Sequence, residues 1–194
     1  MTGIHVVGIS GSLSDESATR VAVETALQGA ESTGATTELI DLRHYDLPVF
    51  DPDEDTPTDA ERLTERIESA DAILLGTPTY HGSFSGSLKN TIDYCGFDEF
   101  EHKTVGLIAV AGGRFPIPPL NHLREVCRSL NAWVLPRQTA VPQASSNIES
   151  GKLTDGELVS RLRSLGEDSV TYAGVGTDER TMPAGENVGA ERSP

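Results

Sequence analysis

Lysine is scarce in this chain. Lys89, Lys103 and Lys152 are its lysines, and lysine and arginine together number 15 against 30 acidic residues in 194, a formal net charge of −15. So acidic a surface repels phosphate backbones and anionic membranes, which argues against nucleic acid or a membrane as partner. Long apolar runs are lacking too: none is long enough to cross a bilayer, and no charged-then-apolar leader opens the chain, so the expected location is the cytoplasm. Cysteine is limited to Cys95 and Cys127, with no CxxC pair. Both fall at apolar positions of predicted helices and read as buried small hydrophobes rather than a disulfide. His5, His44, His81, His102 and His122 are scattered without metal-ligand spacing, so no metal site is expected. His5 reads as a core or strand-edge residue. The charge excess fits either an ordinary acidic soluble protein or, preferably, a halophilic one, since molar salt shortens the Debye length to about 3 Å and makes self-repulsion tolerable.

Several motifs are missing as well. No GxGxxG follows the first apolar run, which weakens a dinucleotide-binding reading. No GxxxxGK[ST] exists, which removes a P-loop NTPase. The nearest approach to a GxSxG nucleophile elbow, Gly82-Ser83-Phe84-Ser85-Gly86, has Phe at its centre.

What is present alternates strand with helix. Apolar runs at Ile4–Ile9, Glu38–Leu42, Ala72–Leu75, Val105–Val110 and from Trp133 read as strands. Helical spacing links Ala18, Val21, Ala22, Thr25, Ala26 and Gly29; then Ala60, Leu63, Ile67 and Ala70 behind a Thr58 N-cap. It recurs through Leu88, Ile92 and Cys95, through Leu120, Leu123, Cys127 and Leu130, and finally through Leu158, Leu162 and Leu165. Asp51–Pro57 is an acidic, proline-containing loop. Strict alternation predicts an α/β flavodoxin-like three-layer sandwich, with a five-stranded parallel sheet of order 2-1-3-4-5 and helices on both faces. Residues 1–173 form one domain of a length that supports a real core. From Gly174 to Pro194 the composition turns polar and reads as a mostly disordered acidic tail, or else an arm ordered by a partner subunit.

Ligands of such sheets bind beyond the carboxyl ends of the strands, where the order reverses. Three loops reach that point. The first, Ser10-Gly11-Ser12-Leu13-Ser14-Asp15-Glu16-Ser17-Ala18-Thr19-Arg20, joins a strand to a helix N-terminus through a hydroxyl-rich turn. Exposed N–H groups and the positive helix end favour an anion there, and Ser and Thr hydroxyls donate to phosphate without adding charge. The second, Thr77–Gly86, has Pro78 to stiffen it and Tyr80 to pack on a flat ring. The third, Ala111–Pro119, carries Gly112 and Gly113, which permit close approach. Its Arg114 either offers charge to a ring carbonyl or a second phosphorylated ligand, or makes a surface ion pair.

The order of Gly11-Ser12-Leu13…Ser17…Arg20 and Pro78-Thr79-Tyr80…Ser83…Gly86…Leu88-Lys89-Asn90…Asp93, followed by Gly112-Gly113, Leu123-Arg124 and Val134-Leu135-Pro136, resembles the NADPH-dependent FMN reductase family, which includes chromate, quinone and azo-dye reductases. The resemblance runs from about Ile4 to Tyr172. It implies that Ser10, Ser12, Ser17 and Thr19 hold the FMN phosphate; apart from the resemblance, Arg20 is the nearby cation in sequence and serves the cradle if its side chain folds back over the first turn. It implies that Pro78, Thr79, Tyr80, His81 and Gly82 line the isoalloxazine ring and that Gly112 and Gly113 flank its other edge. The reaction implied is hydride transfer from NADPH or NADH to flavin N5 and onward to a quinone, flavin or similar acceptor. No catalytic acid, base or nucleophile is required. A homodimer or homotetramer with the flavin near the subunit interface is implied as well. One position departs: Ser14 stands where the family usually has Arg, and Asp15 and Glu16 follow it. The alternatives are a flavodoxin-like FMN electron carrier without NAD(P)H reductase activity, or a nucleotide-binding or structural protein on the same fold.

Overall fold

The computed structural model describes residues 3–175. The chain runs β1 (His5–Ser10), α1 (Ala18–Ser32), β2 (Thr36–Asp41), α2 (Thr58–Glu68), β3 (Ala72–Pro78), α3 (Gly86–Asp93), α4 (Phe97–Phe100), β4 (Thr104–Val110), α5 (Ile117–Ser129), β5 (Trp133–Val141), α6 (Ala144–Asn147), β6 (Ile148–Glu149), β7 (Lys152–Leu153) and α7 (Gly156–Thr171). The five main strands form one parallel sheet ordered β2-β1-β3-β4-β5, the predicted fold.

Alternation along the strands divides the core. Val7, Ile9, Ile73, Leu75, Val105 and Leu107 face a cluster completed by Leu63 and Ile67 of α2, Leu88 of α3, Phe100 of α4 and Leu123 of α5. Val6, Leu74, Ile108 and Val110 face the other side, where Val23 and Ala26 of α1 meet Leu162 and Leu165 of α7. The central strands β1, β3 and β4 are buried on both faces, which explains why they read as continuous apolar runs. The helices α1 and α7 cross at close range. A Cβ on Gly166 would stand 1.9 Å from the Ala26 carbonyl oxygen, and one on Gly29 would stand 2.1 Å from that of Arg163. Only glycine lets these two backbones touch.

Some local expectations change. Pro57, not Thr58, occupies the N-cap of α2, and no side chain caps that end; Pro57 has the fixed φ that suits a helix entry. Cys95 lies past the end of α3, where its thiol donates to the Thr91 carbonyl at 3.3 Å. Cys127 is buried in α5 as expected, and burial pushes its thiol up to about 12. On the edge strand, the register slips between Val105 and Leu107, whose partners are Val134 and Gln138. Leu135, Pro136 and Arg137 form the resulting bulge, and proline is tolerated there because an edge bulge needs no ladder N–H. The short α4, α6 and the β6–β7 hairpin were not legible from periodicity. Gly174 and Val175 close a turn, with the Val175 N–H on the Tyr172 carbonyl at 3.2 Å. The rest of the predicted 174–194 tail lies outside the described residues.

Candidate functional site

The three loops singled out from sequence meet at the carboxyl end of the sheet, tied by backbone hydrogen bonds. The Gly11 N–H donates to the Gly76 carbonyl at 2.8 Å, joining the first loop to β3. The Thr79 N–H donates to Val110 at 2.8 Å, joining the second loop to β4, and the Gln143 N–H donates to Gly113 at 2.8 Å, joining the third loop to the chain after β5. Two serines at the start of α3 complete the joint. Ser85 and Ser87 both donate their hydroxyls to the Gly11 carbonyl, at 2.6 and 2.7 Å. Ser85 is also the N-cap of α3, accepting the Leu88 N–H at 3.2 Å. Gly11 has no room for a side chain: a Cβ would lie 2.9 Å from Leu88 Cβ and 3.0 Å from the Gly76 carbonyl oxygen.

Within the first loop, Ser10, Ser12, Ser17 and Thr19 are all buried. Ser17 caps α1, its Oγ accepting the Arg20 N–H at 3.0 Å, a contact worth about 1 kcal/mol to the helix. Ser12 Oγ accepts the Ser14 N–H at 3.3 Å. In both, the hydroxyl is used as an acceptor, so its proton is still available to donate. Ser10 Oγ is buried with no hydrogen-bond partner. A buried hydroxyl without a partner costs roughly 1–3 kcal/mol, so this atom fits a group that binds here. Thr79 Oγ1 in the second loop is likewise buried and unpartnered.

The cation expected over the cradle is placed differently. Arg20 does not fold back over the first turn; its Nη1 runs along α1 to Glu24 at 3.2 Å, an i,i+4 pair. The cation that reaches the loop is Arg43, from the 3₁₀ turn after β2. Its Nη1 donates to the carbonyls of Ser14 and Asp15 at 3.3 and 3.1 Å, while its Nε meets both Asp41 oxygens at 2.9 and 3.1 Å. The hydrogen bonds from Arg43 hold the Asp41 carboxyl below its ordinary 3.8 against the opposing effect of burial. A depressed carboxylate contributes stability above its unfolded value and loses it as pH falls through the folded one. Asp41→Asn is therefore expected to flatten the loss of thermal stability below about pH 4 and to leave its pH dependence unchanged above about pH 5, read from melting temperatures between pH 2 and 7.

The second loop is a tight hairpin. Tyr80 and Ser83 exchange both backbone hydrogen bonds, at 3.0 and 2.9 Å. His81 and Gly82 between them have φ of 50° and 79°, the signature of a type I′ turn. Tyr80 is presented outward, 56% exposed. Ser83 Oγ lies 3.1 Å from His122 Nδ1 of α5, which braces the hairpin from the side. In the third loop, Gly112 and Gly113 face open space. Arg114 is exposed and makes no ion pair among the described residues, against the surface-pair reading, and its neighbour Phe115 is 81% exposed. A cavity of about 730 Å³ opens beside the cradle, between the start of α1 and the segment after β5, lined by Glu16, Ser17, Arg20, Ser145 and Ser150 among others. A second cavity, of about 590 Å³ between Trp133, Pro136 and Tyr172, lies at the opposite pole and shares no residue with the three loops. Among the described residues, no cluster of His, Cys, Asp and Glu could hold a metal ion, and no helix is long and apolar enough to cross a membrane.

An open parallel sheet of order 2-1-3-4-5, with three loops meeting at its switch point, defines a flavodoxin-like class of α/β protein. The family model for NADPH-dependent FMN reductase matches residues 4–146. The FMN-dependent NADPH-azoreductase of Staphylococcus aureus (strain USA300) is 37% identical over 144 residues, which cover 70% of this chain and 77% of that protein. The chain belongs to the NADPH-dependent FMN reductase family, and its activity is that of an FMN-dependent NAD(P)H oxidoreductase. Solved structures share the fold. An oxidoreductase from Corynebacterium diphtheriae superposes with a TM-score of 0.74 at 20% identity, covering 89% of this chain and 98% of that one. The flavoenzyme NAD(P)H:(acceptor) oxidoreductase FerB from Paracoccus denitrificans superposes with a TM-score of 0.71 at 24% identity, covering 88% and 97%. Membership favours the reductase reading over the electron carrier.

Proposed function

We propose that the loop Ser10–Arg20 holds the FMN phosphate and that Pro78–Gly82, with Gly112 and Gly113, takes the isoalloxazine ring. The observation that carries this is the unpartnered, fully buried Ser10 hydroxyl at the end of β1, beside hydroxyls of Ser12 and Ser17 whose protons are free to donate. FMN held there would supply the redox chemistry, carrying electrons from NADPH or NADH to an acceptor. The protein's part is placement. Ser10, Ser12, Ser17 and Thr19 hold the phosphate end, the α1 N-terminus stabilises its charge, and Pro78 with the His81-Gly82 turn fixes the shelf. Alignment of donor and acceptor in such a site supplies much of the rate without an acid, base or nucleophile from the chain.

The acceptor class is planar and electron-poor: a quinone, a free flavin or an azo dye, the last supported by the azoreductase relative. Exposed Leu13, Tyr80 and Phe115 ring the carboxyl pole and support a homodimer or homotetramer meeting there. A reductase fed by NAD(P)H works where that pool is, in the cytoplasm, and the net charge of −15 supports a salt-rich one.

The test is anaerobic addition of NADPH or NADH to the FMN-loaded protein, across a salt series, with sedimentation to read the oligomer. The expected result is bleaching of the flavin's visible absorbance and re-oxidation by a quinone or azo dye, fastest at high salt. A yellow protein that neither nicotinamide bleaches would favour the electron carrier. A protein that stays colourless with added FMN would overturn the reading.

A further inference from the structure

We infer that Arg43 is the positioning residue of the phosphate cradle, setting the backbone of the Ser14–Glu16 turn. The inference rests on the FMN reading of the first loop and adds to it a residue from a different part of the chain. β1 pairs with β2 so that Ser10 stands opposite Asp41. Two residues past Asp41, Arg43 therefore lies beside the loop that follows Ser10, although 28 residues separate it from Asp15 in sequence.

The guanidinium has a fork of donors in fixed geometry, and here that fork is divided. One side grips Asp41 through Nε at 2.9 and 3.1 Å and through Nη2. The Asp41 carboxylate is itself fixed, since its Oδ1 also accepts the Arg43 N–H at 3.1 Å and it is 7% exposed. The other side, Nη1, holds the carbonyls of Ser14 and Asp15. Among the described residues every peptide is trans. In a planar trans peptide, C=O and the following N–H point in opposite directions. Drawing the carbonyls of Ser14 and Asp15 to Arg43 therefore turns the N–H groups of Asp15 and Glu16 away from it. Neither N–H has a partner among the described residues, and the N–H groups of Ala18 and Thr19 at the start of α1 are free in the same way. Successive free N–H groups leading into a helix N-terminus make an anion-binding concavity. Arg43 also stands 3.7 Å from the Asp15 carboxylate and so offsets an acidic charge at the lip of the cradle. Arg43 acts through the loop backbone; its guanidinium is fully engaged by Asp41 and the two carbonyls.

The test compares FMN with riboflavin, which has the ring and the ribityl chain but no phosphate. Binding is read by quenching of flavin fluorescence, so no turnover is needed. Removing Arg43 alone would leave the buried Asp41 carboxylate unpaired, which is itself destabilising. The decisive variant is therefore the double change Asp41→Asn with Arg43→Gln, and Arg43→Lys is its companion. The wild type is expected to bind FMN at least tenfold more tightly than riboflavin, corresponding to about 1.4 kcal/mol. The double variant is expected to lose at least tenfold in FMN affinity and less than twofold in riboflavin affinity. Arg43→Lys keeps the charge but cannot span Asp41 and two carbonyls, so it is expected to lose FMN affinity to a similar degree. Equal losses for both flavins, no loss for FMN, or wild-type FMN affinity in Arg43→Lys would each overturn the assignment. Equal affinity of the wild type for FMN and riboflavin would instead overturn the phosphate reading of the loop itself.

Discussion

A Ser12→Asp variant is expected to lose at least a hundredfold in FMN affinity while keeping the circular dichroism spectrum of the wild type. Ser12 is 4% exposed inside the first loop. The α1 N-terminus that favours a phosphate also keeps a new carboxylate ionised there. The carboxylate becomes a tethered rival for the same N–H groups and repels the phosphate as well. Two unit charges about 4 Å apart at an effective dielectric near 20 interact by about 4 kcal/mol, or nearly three powers of ten in affinity. A hundredfold is the share that survives ordinary salt. Ser12→Ala removes only one donor to a charged group and is expected to cost roughly tenfold, from about 1.5 kcal/mol for such a hydrogen bond. Fluorescence titration with FMN measures both. Unchanged affinity in Ser12→Asp would remove the phosphate from this loop.

The largest effect on stability is expected from Gly166→Ala. The new methyl would meet the Ala26 carbonyl oxygen at 1.9 Å and the Ala30 nitrogen at 2.9 Å. Both are backbone atoms of α1 and cannot rotate aside as a flexible side chain would. Overpacking in well-packed cores costs about 1–3 kcal/mol and occasionally more, and a rigid backbone clash belongs at the upper end. In a chain of this size about 3 kcal/mol lowers the melting temperature by roughly 6–12 °C. Gly86→Ala is the control: Gly86 is exposed at the start of α3 and its Cβ would meet nothing within 4 Å. Thermal melts of the flavin-free proteins make the comparison without ligand linkage. A shift under about 2 °C in Gly166→Ala would mean the helices can part without cost, contrary to the packing described.

How much of this could be read from the sequence depended on how local each feature is. The strand order followed from strict alternation, and the central strands from unbroken apolar runs such as Ile73–Leu75. Helix α1 was legible because the spacing of Ala18, Val21, Ala22, Thr25, Ala26 and Gly29 is a local pattern. Arg43 was not. Its partners Ser14 and Asp15 are brought to it only by the pairing of β1 with β2, and nearness in sequence pointed instead to Arg20, whose charge Glu24 claims one helical turn on. Ser85 and Ser87 were missed for a similar reason, since their acceptor, Gly11, lies 74 and 76 residues away. The short α4, α6 and the β6–β7 hairpin hold too few residues to show a period. Thr58 looked like a cap because Thr is a good one, but Pro57 takes the extended φ,ψ of that position, −64° and 145°.

The carbonyl oxygen of Gly11, shared by Ser85 and Ser87, limits where this enzyme can diversify. It ties the first two loops into one part, so an insertion in either is expected to disturb the other. The third loop has no such debt. It is anchored through its own backbone to the chain after β5, its Gly112 and Gly113 face open space, and Phe115 stands clear of the protein. Selection for new electron acceptors can therefore rewrite residues 114–117, beyond the two glycines proposed to flank the flavin, which makes that segment the place to randomise when a different acceptor is wanted.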